Sequence, residues 1–371
     1  MRLRKKMGKT HDSVRTHIDL SKPSSHSGPI ILEDCGHVDI SSRNSFVSIH
    51  TRPLAPNLLH FPHRLPNNIE STTSVVVQGP MILDHDFTFN TLRMYRHLFS
   101  SSPIVLSTWS DTPLDLLKAA ESLGCHVIVS EKPIEAGWGN INLQVTSTSA
   151  GVEFASSLGS SHVIKTRTDF RIHRGEAITN LLSLIDAFPV THAENQQQRI
   201  IGTDLATLKH RVYGLTDIFQ FGNINDMLAY WDKSSYEDSV TRNFGLIDLP
   251  PIIDGTPLVS EIYLCWRFLS GCGEVLDFTL ENWWTQLRNR FSIVDLTSLD
   301  GFWFKHDWHW EYRFGNSYTQ RGPLSVSQLD WLTLYEHGIP ESWTSSGFKE
   351  RWIRGIDPSG ATTNGITQVS V

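Results

Sequence analysis

The chain has 371 residues, of which 39% are hydrophobic, with 25 Gly and 17 Pro. That composition excludes the disordered and collagen-like classes, and the length is enough to bury most of the surface an unfolded chain exposes. The formal net charge is −7 with 32 basic residues spread thinly, which argues against a nucleic-acid binder, since such proteins carry a basic stripe.

The four cysteines, Cys35, Cys125, Cys265 and Cys272, form no CxxC pair and read as free thiols in a reducing compartment. No apolar run reaches the roughly 18 residues that span a bilayer, and residues 1–30 lack the apolar centre of a signal peptide. The expectation is a cytoplasmic protein. A basic cluster at Arg2, Arg4, Lys5, Lys6 and Lys9 reads either as a solvated terminus or as a weak peripheral contact with the inner face of the membrane. In the second case each basic group contributes on the order of 1 kcal/mol near anionic lipid heads. The 12 Trp and 18 Phe suit a core, a sugar-stacking surface or a base-stacking surface equally well.

In chain order, residues 1–70 carry scattered His, Ser and Pro around short apolar runs at 29–32 and 46–49, and read as an extended arm with short strands. From Ser74 the pattern changes. Val75-Val76-Val77, Ile104-Val105-Leu106, Val127-Ile128-Val129 and His162-Val163-Ile164-Lys165 are short apolar runs of the kind found in strands buried on both faces. Helices lie between them. Phe89, Leu92, Arg96 and Phe99 mark the first. In the second, Thr112 reads as a cap, Pro113 as the first helical residue and Asp115 as completing a capping box, with Leu114, Leu117, Ala120 and Leu123 following before Gly124. A third runs over 142–158 and closes at Gly159.

Strand–helix alternation of this kind predicts βαβ units on a mostly parallel sheet, an α/β fold. Beyond Asp169, Ile178, Leu181, Leu182 and Ile185 make a helix face, and 216–222 alternates like a strand. Asn223 and Asp226 read as the cap and third position of another helix, a helix starts near Ser260-Glu261, and 275–278 reads as a strand. Residues 71–320 are expected to form the main domain, with 321–371 a C-terminal extension.

P-loop, dinucleotide-binding, HExxH and GxSxG motifs are absent, which leaves the corresponding NTPase, oxidoreductase, metalloprotease and hydrolase readings without support. The informative segment is Val163-Ile164-Lys165-Thr166-Arg167-Thr168-Asp169, in which Lys165, Arg167 and Asp169 share one strand side. Unpaired charges there would be costly in a closed core and tolerable where the carboxyl end of a strand opens onto a ligand crevice. The trio reads either as a phosphate-binding set or as a network that neutralises itself. Gln78-Gly79-Pro80 and Ser107-Thr108-Trp109-Ser110-Asp111 end two earlier strands in the same way.

These residues, together with Asn142, Gln144, Ala150-Gly151, the 216–222 strand and the Ser260-Glu261 helix start, occur in an order that resembles the WavE lipopolysaccharide-synthesis family over residues 74–310. The resemblance implies a GT-A-like, Rossmann-type mostly parallel sheet flanked by helices. It also implies a glycosyltransferase of surface-polysaccharide assembly that uses a nucleotide-sugar donor and an oligosaccharide or glycolipid acceptor, with no nucleic-acid partner. It places Gln78, Gly79, Pro80 and Asp111 at the nucleotide, and Lys165, Arg167 and Asp169 near the diphosphate.

Arg167 stands where the first acid of the usual Asp-x-Asp motif would be. The expected Mn²⁺ or Mg²⁺ is therefore in question, because the cations could neutralise the leaving group directly. Glu261, in the first turn of its helix, and Asp217 are the candidate carboxylates for taking the acceptor proton, and Asp217 could instead bind a sugar hydroxyl. In Phe302-Trp303-Phe304-Lys305-His306-Asp307-Trp308-His309-Trp310, His306 and His309 could complete a metal site with Asp169, and the rings could stack on sugar or pack in the core. A non-catalytic carbohydrate-binding protein and a sugar nucleotidyltransferase are the alternative functions.

Overall fold

The computed structural model describes residues 72–190, 195–233, 260–304 and 325–344, all within the unit Leu54–Val371. The 1–70 arm with its basic cluster and Cys35, the segment 305–310 with His306 and His309, and residues 345–371 lie outside the described residues.

The four apolar runs become β1 (Thr73–Gln78), β2 (Ile104–Trp109), β3 (His126–Ser130) and β4 (His162–Arg167). The helices between them are α1 (Phe87–Leu98), α2 (Leu114–Ser122) and α3 (Ile141–Ser157). After β4 come β5 (Phe170–Ile172), α4 (Ala177–Ala187), β6 (Ile200–Thr203), β7 (Gln220–Asn223) and α5 (Ile224–Tyr230). Following these are α6 (Ser260–Gly271), α7 (Leu280–Arg290), β8 (Phe291–Val294), β9 (Gly301–Trp303) and α8 (Gln328–His337).

The sheet has seven strands in the order β3-β2-β1-β4-β7-β6-β8. All neighbours are parallel except at β7, which runs antiparallel to both β4 and β6. The expected Rossmann-type, mostly parallel sheet is therefore present. The chain moves from β1 outward to β3, then returns to place β4 on the other side of β1. This makes the β1/β4 boundary a topological switch point, where an open α/β sheet leaves a crevice at the carboxyl ends of its strands.

Alternation along the strands sorts the core into two layers. Val75, Val77, Ile104, Leu106 and Ile164 face α1, Ala120 of α2 and α4. Val76, Val105 and Val163 face α3, α5, α6, α7 and α8. Helix α3 lies unusually close to this second face. A Cβ at Gly151 would stand 2.5 Å from Val76 Cγ1 and 3.1 Å from Ser107 Cβ, so only glycine permits that approach.

Four local expectations are corrected. The third apolar run is only half-buried, because β3 is the sheet edge. Thr112 does not cap α2: Pro113 holds the cap position, no side-chain cap bond forms, and the Thr112 hydroxyl bonds Thr108 instead. The strand expected over 216–222 begins only at Gln220, since Asp217 and Ile218 form a bend. Residues 275–278 are not a strand: Val275 is exposed, and Phe278 has φ +58°, which breaks strand geometry. Asn223 does cap α5 by accepting from the Asn225 amide at 2.8 Å, whereas Asp226 turns away to accept from the amides of Gln197 and Gln198.

Among the described residues no helix is long and apolar enough to cross a membrane. Residues 325–344 pack into the α3-side core through Val326, Trp331, Leu334 and Trp343.

Candidate active site at the switch point

Pairing in register sets Gln78, the last residue of β1, beside Arg167, the last residue of β4. The chain then turns at both ends, and the two turns are sewn together. The Thr168 amide donates to the Gln78 carbonyl at 3.0 Å, the Thr168 hydroxyl donates to the Pro80 carbonyl at 2.6 Å, and the Thr88 hydroxyl of α1 donates to the Thr168 carbonyl at 2.9 Å. Gly79 has φ +118°, a conformation side chains disfavour, and a Cβ there would meet Thr168 Oγ1 at 3.0 Å. Gly79 therefore lets the β1 turn close onto the β4 turn. Gln78 points to the α3 side, where its Oε1 accepts from the Ser147 hydroxyl at 2.8 Å.

Strand alternation puts Lys165 and Arg167 on that same side as Val163. Arg167 grips Asp169 with a two-pronged contact, Nε to Oδ1 at 2.8 Å and Nη2 to Oδ2 at 3.0 Å. The Arg167 side chain is 19% exposed and that of Asp169 is 9% exposed. The pair is thus partly self-neutralised. A guanidinium carries five N–H donors, however, and this contact uses two of them. Burial works against the charge on Arg167, but Asp169, with help from Asp217 and Glu261, outweighs it and holds the group more firmly protonated than usual.

Asp169 is fixed further by the two-stranded antiparallel sheet of β5 and β9. Phe170 pairs with Trp303, the Trp303 indole N–H donates to Asp169 Oδ2 at 3.3 Å, and the Phe304 amide donates to the Asp169 carbonyl at 2.8 Å. The rings of Phe302 and Phe304 pack on Phe87, with centroids 5.9 and 4.6 Å away. Those two rings are therefore packing groups.

Lys165 behaves differently from the expectation that its ammonium meets a ligand. It is fully buried, donates to the Asp217 carbonyl, and sits 4.5 Å from the centroid of the Trp231 ring. β4 carries it beneath Trp231, the residue that follows α5, where it still feels the charges of Arg167, Asp169 and Glu261. Burial pushes its ammonium down to about 7, although Asp217 pulls the other way. A buried lysine with a carbonyl and an aromatic face for partners is well placed to hold the Asp217 bend in position.

Glu261 begins α6 and is mostly buried, with a side chain 16% exposed. Burial and then the charge of Asp217 push its carboxyl up, and Arg211 pulls it back down. Arg211 Nη2 lies 3.9 Å from Glu261 Oε1. Ser260, at the start of the same helix, accepts from Gln144 Nε2 at 3.4 Å, which ties α6 to α3. Arg167, Asp169, Asp217 and Glu261 thus share one electrostatic neighbourhood at the carboxyl end of β4, with Gln78, Gly79 and Pro80 adjoining it.

Asp111 does not join this group. It is an exposed residue paired with Lys132 at 2.5 Å beyond the β2 and β3 ends. Among the described residues no three His, Cys, Asp or Glu side chains gather as a metal site, and both oxygens of Asp169 already face the Arg167 fork. His306 and His309, the other two ligands expected at Asp169, lie outside the described residues.

Sequence reasoning missed Ser147, Trp231 and Arg211. Ser147 lies three residues beyond Gln144 on α3, a helical spacing that was legible. Arg211 lies in a loop without periodicity, and only the basic run Lys209-His210-Arg211 marked it.

Residues 73–247 match the family described as WavE lipopolysaccharide synthesis, so the resemblance holds over that segment. A search of curated proteins finds no match. Among solved structures, the chain is similar to a protein described as a nucleotide-diphospho-sugar transferase from Desulfovibrio desulfuricans. That match has 9% identity and a TM-score of 0.33, and covers 71% of this chain and 94% of that one. The chain is also similar to mouse xyloside xylosyltransferase 1 in its apo form, with 10% identity, a TM-score of 0.33, and coverage of 61% and 86%. At these scores the fold assignment rests on the sheet itself.

Proposed function

We propose that this protein is a glycosyltransferase that moves a sugar from a nucleotide-diphosphate donor to a glycan acceptor in the assembly of lipopolysaccharide or another surface polysaccharide. The observation that carries the reading is the meeting of Arg167, Asp169, Asp217 and Glu261 at the β1/β4 switch point, the first three within the segment that matches the family and Glu261 beyond its end. In this reading Gln78 and the Gly79-Pro80 turn border the nucleotide. The N–H groups of Arg167 not used on Asp169 face the donor's diphosphate, where fixed positive charge stabilises the leaving group most.

In an inverting transfer the acceptor hydroxyl oxygen attacks the anomeric carbon. The bond from that carbon to the diphosphate oxygen breaks, and the diphosphate leaves with the electron pair toward Arg167. Glu261 takes the acceptor's proton. A carboxyl raised by burial suits a base that must release its proton again at neutral pH. Asp217, held by Lys165, binds a sugar hydroxyl.

Incubation of the full chain with a panel of nucleotide sugars, with and without Mn²⁺, tests the reading. Release of a nucleoside diphosphate from one donor supports it. Glycan binding with no release from any donor supports a carbohydrate-binding protein instead, and pyrophosphate release from a sugar phosphate plus a nucleoside triphosphate supports a nucleotidyltransferase.

A further inference from the structure

The loop between β6 and β7 is built to deliver Arg211. Its backbone takes left-handed turns at Ala206, φ +68°, and at Tyr213, φ +50°. Arg211 folds back along this loop so that Nη2 donates to the Ala206 carbonyl. Gly214 makes the room: a Cβ there would stand 2.5 Å from Arg211 Nε and 2.9 Å from its Cγ.

The C-terminal segment clamps the same loop from outside. The Val326 amide donates to the Thr207 carbonyl at 2.9 Å, Lys209 pairs with Asp330 at 3.0 Å, and His210 Nε2 lies 3.2 Å from the Trp343 carbonyl. From within, the Trp284 indole N–H donates to the Lys209 carbonyl at 2.5 Å. Four contacts therefore fix a loop whose one guanidinium faces Glu261, while Arg211 Nε is buried without a hydrogen-bond partner among the described residues.

We propose that Arg211 is the positioning residue of Glu261: its guanidinium aims the carboxylate at the Arg167 cluster and keeps it the anion that accepts the proton. The inference rests on the proposed glycosyl transfer, with Glu261 as base. The groups that bear on Glu261 are Asp217 and Arg211 from the β6–β7 loop, Lys165 and Arg167 from β4, and the Ser260 hydroxyl from its own helix. Helix α5, packed against α6, offers two ionisable side chains: Asp226, which is already bound to the Gln197 and Gln198 amides, and Tyr230, whose ring packs on Phe268 of α6. Of these groups, Arg211 is the cation paired directly with the carboxylate.

The test is the pH profile of kcat/KM. In Arg211→Met the acidic limb should move upward by about one pH unit, because Glu261 loses the charge that favours its ionised form. On the acidic side of both limbs kcat/KM should then fall on the order of tenfold, and on the plateau above them it should approach wild type, with the donor KM unchanged. Arg211→Lys, which keeps the charge, should return the limb to the wild-type position. Gly214→Ala, which crowds Arg211 aside, should shift the limb in the same direction as Arg211→Met. If the Met variant does not fold, Arg211→Gln, which can still donate to the Ala206 carbonyl, carries the same expectation.

An unshifted limb in a variant without the charge overturns the inference. A raised donor KM with an unshifted limb also overturns it, and makes Arg211 a ligand contact. Glu261→Gln separates the two levels. If it turns over like wild type, the base assignment beneath the inference has failed. If it is inactive while Arg211→Met keeps the wild-type limb, the positioning role alone has failed.

Discussion

Replacing Asp169 by alanine should cost stability as well as turnover, although the residue sits just past a strand end. The change removes both acceptors of the Arg167 fork, at 2.8 and 3.0 Å, together with the acceptor of the Trp303 indole. It leaves a guanidinium that is only 19% exposed without its counter-charge. Breaking one side of a buried pair costs roughly 3–5 kcal/mol, and the remaining exposure lets water recover part of that, so a loss of about 2–4 kcal/mol is expected. At roughly 2–4 °C per kcal/mol for a domain of this size, Tm should fall by about 4–16 °C. Thermal and urea unfolding of Asp169→Ala, Arg167→Met and the double variant would measure it. The double variant should recover much of the loss, because it carries no stranded charge. The reasoning is refuted if Asp169→Ala melts within a degree of wild type, or if the double variant loses the simple sum of the two single changes.

Three further outcomes follow from the same geometry. Gly151→Ala should lose about 1–3 kcal/mol in urea unfolding, because its Cβ would press on Val76 Cγ1 at 2.5 Å across a helix–sheet contact with no flexible partner. Gly79→Ala should lower turnover more than stability, since the φ of +118° and the 3.0 Å approach to Thr168 Oγ1 lie in the turn that borders the proposed nucleotide site, and steady-state kinetics beside thermal melts would separate the two. Lys165 is protonated in the unfolded chain up to its ordinary 10.5 but in the folded chain only to about 7. Between those values the unfolded state binds more protons, so stability rises with pH across that window. Lys165→Met should abolish that slope in urea unfolding measured from pH 6 to 9.5, with its advantage over wild type largest at pH 6.

The sheet was readable from sequence because its signal is local. The runs at 75–77, 104–106 and 163–164 are apolar on consecutive residues, as strands covered on both faces must be, and all three are fully buried. The ends that failed were decided by side-chain and backbone contacts that periodicity does not encode, one of them local and one far away in sequence. Thr112 looked like a cap, but its hydroxyl is taken by Thr108 on the neighbouring strand end. The 216–222 alternation looked like seven residues of strand, yet the Asp217 carbonyl is drawn to Lys165 and the chain bends there.

The candidate site divides in the same way. The run Lys165-Thr166-Arg167-Thr168-Asp169 announced itself through charge in an apolar strand, and Glu261 through its place at a helix start. Which of these charges would neutralise one another was not visible. Arg167 and Asp169 pair, whereas Lys165, expected beside them, is buried under Trp231, a residue 66 positions away that no local pattern connects to it. Arg211 had no periodicity to reveal it, because its position depends on Gly214 and on Asp330 and Trp343 of the C-terminal segment.

The most direct test of the central claim is calorimetric titration of UDP, GDP, CDP and ADP into the wild-type chain and into Arg167→Met. The account predicts that one of these diphosphates binds the wild type and binds the variant at least about tenfold more weakly, as loss of a charged phosphate contact requires. Equal affinity for both proteins, or no binding of any of the four to the wild type, would contradict it.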